Sequence, residues 1–263
     1  MSVIEAIILG VIQGITEFLP VSSSGHLELA QAIFGNQNNT DGNLLFTIVV
    51  HGATALATLV VFRADVWSIV RGLFQFTNNE SAQFSLRIVL SMMPAALIGY
   101  FFEDIISSQF FGNTLLVGLM LWITAGLLYI ADKPTENRAN VSLTNAWWIG
   151  IAQAFAILPG VSRSGATIAI SLLLGVARDR AARFSFLMVV PLIFGSMAKK
   201  ILDGGLEQEV LSLSPILAGF MAAFISGYLA CRWMIALVKR SQLRYFAYYC
   251  ALVGTISLVT SLV

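Results

Sequence analysis

Charge is what this chain has least of: Lys, Arg, Asp and Glu make up 11% of its 263 residues, against 57% hydrophobic side chains. A soluble domain carries about 25% charged residues, so a soluble globular protein is excluded and the composition is that of a polytopic membrane protein. The formal net charge of +1 attracts no acidic or basic partner in bulk and disfavours nucleic-acid binding. Cysteine is nearly missing. Cys231 and Cys250 sit inside apolar runs without metal-ligand spacing and read as small buried hydrophobes. Histidine is as scarce, occurring only as His26 and His51. No Lys or Arg precedes the first apolar run, which contains Glu5; this is a poor match to a cleaved signal peptide, and the segment reads as mature structure.

What is present is a stretch foreign to a lipid-facing span. Gly10 to His26 begins as an apolar helix, puts Gln13 and Glu17 four residues apart on one face, and breaks at Pro20. It restarts through Ser22, Ser23, Ser24 and Gly25. A second copy runs from Gly150 to Gly165, offset by 140: Gly10 matches Gly150, Gln13 matches Gln153, and Val21, Ser22, Ser24 and Gly25 match Val161, Ser162, Ser164 and Gly165. Phe46, Val49 and Val50 likewise match Phe186, Val189 and Val190. An internal duplication follows, with its chemistry expected where the copies meet.

Hydropathy sets the expected spans. Residues 2–19 make a helix of only about 27 Å at ~1.5 Å per residue, and its last turn carries Thr16 and Glu17, so it is a weak span. Leu27 to Phe34 is shorter still. A break followed by a short helix describes a re-entrant hairpin, tolerated where it lines a cavity enclosed by protein. After a polar loop at Asn36–Asn43, spans are expected at Leu44–Phe62, Leu86–Phe102 and Thr114–Ile130. A polar linker, Asp132–Asn145, separates the halves. The second hairpin runs from Ala146 through Pro159-Gly160 to Leu174, and spans follow at Phe184–Ala198, Ile216–Val238 and Tyr245–Val263.

The expected fold is therefore an all-α integral membrane protein forming one transmembrane domain over 1–263, with six transmembrane helices and two re-entrant helix-loop-helix hairpins. Its repeats cover about 1–131 and about 141–263. Three crossings per half invert the second half relative to the first, giving an inverted-topology repeat. The positive-inside rule agrees: Arg63, Arg71, Arg87, Lys133, Arg138, Arg178, Arg180, Arg183, Lys239, Arg240 and Arg244 fall on one side. Glu103, Asp104, Asp203, Glu207 and Glu209 fall on the other, with Lys199 and Lys200 as exceptions. Both termini and the mouth of the first hairpin are then outside, and the second hairpin opens to the cytoplasm.

A carboxylate in a membrane costs about 2.5–3.5 kcal/mol unless water, a cation or a partner meets it. Glu17 with Gln13 on the same face is read as an oxygen-ligand site for a divalent cation or a leaving phosphate; Glu5 and Glu28, near hairpin ends, have water within reach. Serines after a proline are common N-caps, but Ser23 and His26, three apart on a first turn, pair a hydroxyl with an imidazole as nucleophile and general base. His51, among Val49, Val50 and Ala53, reads as a packing residue. Arg163, between Ser162 and Ser164 at a helix start, adds a planar five-donor cation to N–H groups facing an anion, which makes a phosphate cradle. Its alternative is to neutralise Glu17. The offset places Arg163 opposite Ser23, so one half holds reacting groups and the other a clamp.

Gln13-x-x-x-Glu17 followed by Pro20-Val21-Ser22-Ser23-Ser24-Gly25-His26, with Pro159-Gly160-Val161-Ser162-Arg163-Ser164-Gly165-Ala166-Thr167, resembles the two signatures of the bacterial undecaprenyl-diphosphatases of the bacitracin-resistance type. The resemblance covers the whole chain in length, hydropathy and motif order. It implies hydrolysis of undecaprenyl diphosphate to undecaprenyl phosphate and inorganic phosphate, which recycles the lipid carrier of cell-wall synthesis. It also implies a multi-pass protein of the bacterial inner (plasma) membrane with a periplasmic site, a Mg²⁺ or Ca²⁺ requirement, a polyprenyl diphosphate and membrane lipids as partners, and room for a homodimer. Carried over, the roles are catalytic for Ser23, His26 and Glu17, phosphate-binding for Arg163 with Ser162, Ser164 and Ser22, and metal-binding for Glu17 and Gln13. Many members have a second glutamate where this chain has Gln13, so the metal site holds one carboxylate fewer. The phosphatidate-phosphatase type also has Ser-Gly-His but needs a later histidine, and none follows His51. An inverted-repeat transporter or polyprenyl-phosphate flippase is the rival from another class. For a polyprenyl substrate, an apolar groove from the site into the bilayer is expected, since each exposed CH₂ costs about 0.8 kcal/mol.

Overall fold

The computed structural model describes residues 1–34, 40–77, 79–132, 139–202 and 213–262. Among the described residues the chain is helical and has no strand beyond a single Ala139–Val176 bridge. In order the helices are α1 (Val3–Phe18), α2 (Ser23–Ile33), α3 (Thr40–Val61), α4 (Arg63–Leu73), α5 (Glu80–Phe110) and α6 (Thr114–Ala131). The rest are α7 (Leu143–Phe155), α8 (Arg163–Leu173), α9 (Arg178–Leu202), α10 (Leu213–Lys239) and α11 (Leu243–Leu262).

Five helices, α5, α6, α9, α10 and α11, are long and apolar enough to cross a membrane. The expected sixth span, in α3, joins them only when counted with α4, to which it is bent by 80°. The bend follows from sequence: Phe62 supplies no side-chain cap, and Arg63 and Asp65 open α4 with charge. Val66 and Ile69 pack on the core while Trp67, Val70 and Phe74 stay exposed. No helix was expected here, although the apolar residues already repeat at helical spacing. Of the loop expected at Asn36–Asn43, residues 36–39 lie outside the described residues and α3 begins at Thr40. Lys133, Arg138, Asp203, Glu207 and Glu209 also lie outside them, as do the side chains of Glu103, Asp104 and Lys200.

Lipid-facing and protein-facing stripes separate cleanly. On α10, Leu217, Met221, Ile225 and Leu229 are exposed at a spacing of four, too continuous an apolar face for water. The opposite stripe, Gly219, Ala223, Gly227 and Cys231, is buried. It receives α1 through Gly10 and Gly14, so close that a Cβ on Gly14 would lie 2.6 Å from the Ala223 carbonyl oxygen and 2.7 Å from the Gly227 nitrogen. Small residues at such spacing are how helices approach when lipid removes any hydrophobic drive between them. The α5–α7 contact is made alike, with Gly150 against the Ser91 backbone. Helices α6 and α11 meet reciprocally, Gly118 against the Gly254 carbonyl and Gly254 against the Gly118 carbonyl, both at 2.9 Å from an added Cβ.

Ion pairs gather the basic residues at one end. Arg183 meets Asp65 at 2.7 Å, Arg178 lies 3.8 Å from Asp132, and Asp132 also accepts from the Arg244 N–H at 3.0 Å. The starts of α4, α9 and α11 and the end of α6 are thereby tied together. The Ala177 N–H donates to the Ala139 carbonyl at 3.1 Å, which holds the α7–α8 pair to that end. At the other end Glu28 of α2 accepts from the Gly112 N–H at 3.0 Å in the α5–α6 turn. Glu5, expected merely to reach solvent, closes a capping box with Ser2.

The α1–α10 seam carries a prediction. Gly14→Val puts three carbons where backbone already stands and should cost about 1–3 kcal/mol, lowering the thermal midpoint in detergent. Gly126→Ala, with nothing within 4 Å of an added Cβ, should leave that midpoint at or above the wild-type value.

Candidate active site

The two chain breaks abut at the middle of the fold. Ser22, the N-cap of α2, sits at φ +71°, a conformation that costs a non-glycine residue energy and that recurs at functional sites. Its hydroxyl accepts from the Gly25 N–H at 3.3 Å and from the Gly160 N–H of the second break at 3.2 Å. Ser162 caps α8 in the same way, accepting from the Gly165 N–H at 3.1 Å. Ser164 donates to the Leu19 carbonyl at 3.3 Å across the junction, and Cys250 of α11 donates to the Pro20 carbonyl at 3.5 Å. Gly25 packs on Gly160 and Gly165 on Pro20, each 3.2 Å from an added Cβ, so a side chain at either would have to push its neighbours apart by a few tenths of an ångström.

Glu17 lies at the centre, 6% exposed. One carboxylate oxygen, Oε1, is paired with an Nη2 hydrogen of Arg163 from the other half. The other, Oε2, accepts from the Ser23 hydroxyl at 2.7 Å and from the Gln13 side-chain amide at 3.0 Å. Three side chains, Arg163, Ser23 and Gln13, thus converge on one carboxylate. Beside it a small cavity is walled on its polar side by Thr54, Thr58 and Ser185 and on its apolar side by Phe186, Val189 and Ile193. The Ser185 hydroxyl is bonded to that of Thr167 at 2.6 Å, and Thr167 donates to the Arg163 carbonyl at 2.8 Å, which braces the first turn of α8 behind the guanidinium.

The sequence matches the family model described as bacitracin resistance protein BacA over residues 6–256. It is 55% identical over 259 residues to a protein of Christiangramia forsetii named undecaprenyl-diphosphatase, covering 98% of each chain. Proteins of the same name from Bacteroides fragilis and Parabacteroides distasonis are 48% and 46% identical, over 98% and 100% of this chain and 97% and 99% of theirs. The chain belongs to the BacA family.

Several expectations for this BacA family chain meet a different geometry. The Ser23 hydroxyl donates to Glu17, not to His26, whose two ring nitrogens have other partners. His26 has Nδ1 at 2.8 Å from the Ser22 carbonyl oxygen and Nε2 at 2.8 Å from the Tyr249 hydroxyl on α11. Ser22, Ser162 and Ser164, expected to hold phosphate, are buried and have their hydroxyls on backbone groups, which is what joining two broken helices demands. Arg163, expected at a phosphate, stands on Glu17. His51, read as packing, has Nε2 3.9 Å from Glu17 Oε2 while its Nδ1 lies 2.8 Å from the Thr47 carbonyl. It is the residue the sequence reading missed, although an imidazole inside an apolar helix was itself the signal.

Breaking such a pair leaves one buried charge uncompensated. Arg163→Gln should therefore cost about 3–5 kcal/mol of stability, and adding Glu17→Gln should recover most of it. Thermal unfolding of the single and double variants in one detergent measures both.

Proposed function

We propose that this chain is an undecaprenyl-diphosphatase, hydrolysing undecaprenyl diphosphate to undecaprenyl phosphate and inorganic phosphate and so recycling the lipid carrier of cell-wall synthesis. The observation that carries the reading is the convergence of Arg163, Ser23 and Gln13 on the buried Glu17, in a chain related over its whole length to proteins of that name. A transporter has no need of a hydroxyl held on a buried carboxylate, which favours the phosphatase.

The residues then divide the work. Arg163 leaves Glu17 for the substrate's terminal phosphate, where its planar donors match two oxygens at once. The Ser23 oxygen, or a water in its stead, attacks the terminal phosphorus, and the proton of the nucleophile passes to Glu17 Oε2, already its hydrogen-bond acceptor. The bridging P–O bond breaks and undecaprenyl phosphate departs; a phosphoserine, if formed, is cleaved by water. His26 carries its hydrogen on Nδ1, because a carbonyl can only accept, so its Nε2, which accepts from the Tyr249 hydroxyl, is a second basic nitrogen near the site.

A divalent cation suits the donors present. The Gln13 Oε1 atom is buried without a hydrogen-bond partner, and Glu17 regains a free oxygen once Arg163 turns to phosphate. These two oxygens would hold Mg²⁺ or Ca²⁺ only together with diphosphate oxygens, since among the described residues no group of three or more His, Cys, Asp or Glu converges. When bound, the cation would offset charge on the departing phosphate.

An inverted-topology repeat with two re-entrant hairpins accounts for the packing. The exchange of partners, α1 on α10 and α7 on α5, is what a pseudo-two-fold axis in the membrane plane produces. The anchoring of α7–α8 at the basic end and of α2 at the opposite end supports hairpins from opposite faces. With the basic end cytoplasmic, the protein lies in the bacterial inner membrane with its first hairpin opening to the periplasm.

Purified protein should release phosphate from undecaprenyl diphosphate, and chelator should suppress the release. Ser23→Ala should lower turnover by about 10²-fold; a variant with wild-type turnover would remove Ser23 from the chemistry.

A further inference from the structure

His26 is held from two sides. The Ser22 carbonyl fixes the hydrogen on Nδ1, so the group 2.8 Å from Nε2, the Tyr249 phenol, donates to it. The two rings also stack, with centroids 5.6 Å apart and planes 11° apart. Both clamps are anchored at the junction of the breaks. Ser22 holds the Gly25 and Gly160 N–H groups through its hydroxyl, and Cys250, next to Tyr249, donates to the Pro20 carbonyl. Tyr249 is 43% exposed, so its hydroxyl lies at the edge of the fold and a single hydrogen bond is all it adds there. What the bond does achieve is a single tautomer and a single ring orientation for His26.

We propose that Tyr249 is a positioning residue of the phosphatase reaction, holding His26 through Nε2 from α11. The inference rests on the reading that His26 takes part in turnover. It gives α11 a part in the site that neither signature motif contains, since Tyr249 lies 223 residues from His26 in sequence.

Tyr249→Phe keeps the ring and the stack and removes only the donor. The test measures kcat and KM for undecaprenyl diphosphate, with the thermal midpoint, for Tyr249→Phe, His26→Gln and the double variant of the full chain. The expected result is a fall in kcat of about five- to tenfold, the worth of one hydrogen bond, with KM and midpoint unchanged. In the His26→Gln background the second change should cost nothing further, because the group it positions is gone. Wild-type kcat in Tyr249→Phe, or an equal fall in both backgrounds, would overturn the inference while leaving the reading of His26 intact. Wild-type turnover by His26→Gln would overturn that reading, and the place of Tyr249 with it.

Discussion

The fold is arranged around one ion pair that no membrane helix could carry alone. Glu17 belongs to the first broken helix and Arg163 to the second, and each is the nearest opposite charge the other has. A buried carboxylate without a partner costs several kcal/mol, so each broken helix supplies the charge that the other needs. The caps follow from the same constraint. Each break frees N–H and carbonyl groups inside the fold; Ser22 and Ser164 satisfy them across the junction, and Ser162 does so within its own break. The small residues of α1, α5, α7 and α10 then let the flanking helices close on the breaks at backbone distance.

The same pair gives the site its resting state. With Arg163 on one carboxylate oxygen and Ser23 on the other, the guanidinium and the hydroxyl share a common support. In the proposed reaction a diphosphate competes with Glu17 for Arg163, and the carboxylate keeps Ser23 when it loses the arginine. On that reading Ser23 is oriented before the reaction, whereas Arg163 changes partner to reach the phosphate.

Much of this was legible in the chain. The offset of 140 residues, the spacing of Gln13 and Glu17, the break at Pro20 and the placing of Arg163 opposite Ser23 all reflect local pattern, and the structure brings these residues together. What escaped depends on neighbours supplied by other helices. His51 looks like packing because its own turn is apolar, and only the approach of α1 puts Glu17 beside it. His26 shares a turn with Ser23, yet α11 supplies Tyr249 on one side and α1 supplies Glu17 on the other, so the two side chains part. Ser22 and Ser162 have the residue type of both a cap and a phosphate ligand, and which of these the hydroxyl serves is decided by the facing break. The bent α4 was different: its amphipathic spacing was there to be read, but it follows a span whose hydrophobic run ends at Phe62.

The central claim is that Arg163 exchanges Glu17 for phosphate during turnover. Arg163→Lys tests it most directly, since lysine keeps the charge that Glu17 needs but lacks the fork that two phosphate oxygens need. Phosphate release from undecaprenyl diphosphate, measured beside thermal unfolding, should fall by about 10²-fold at a nearly unchanged midpoint. An Arg163→Lys protein that turns over at the wild-type rate would contradict the account and leave Arg163 as a counter-charge to Glu17 alone.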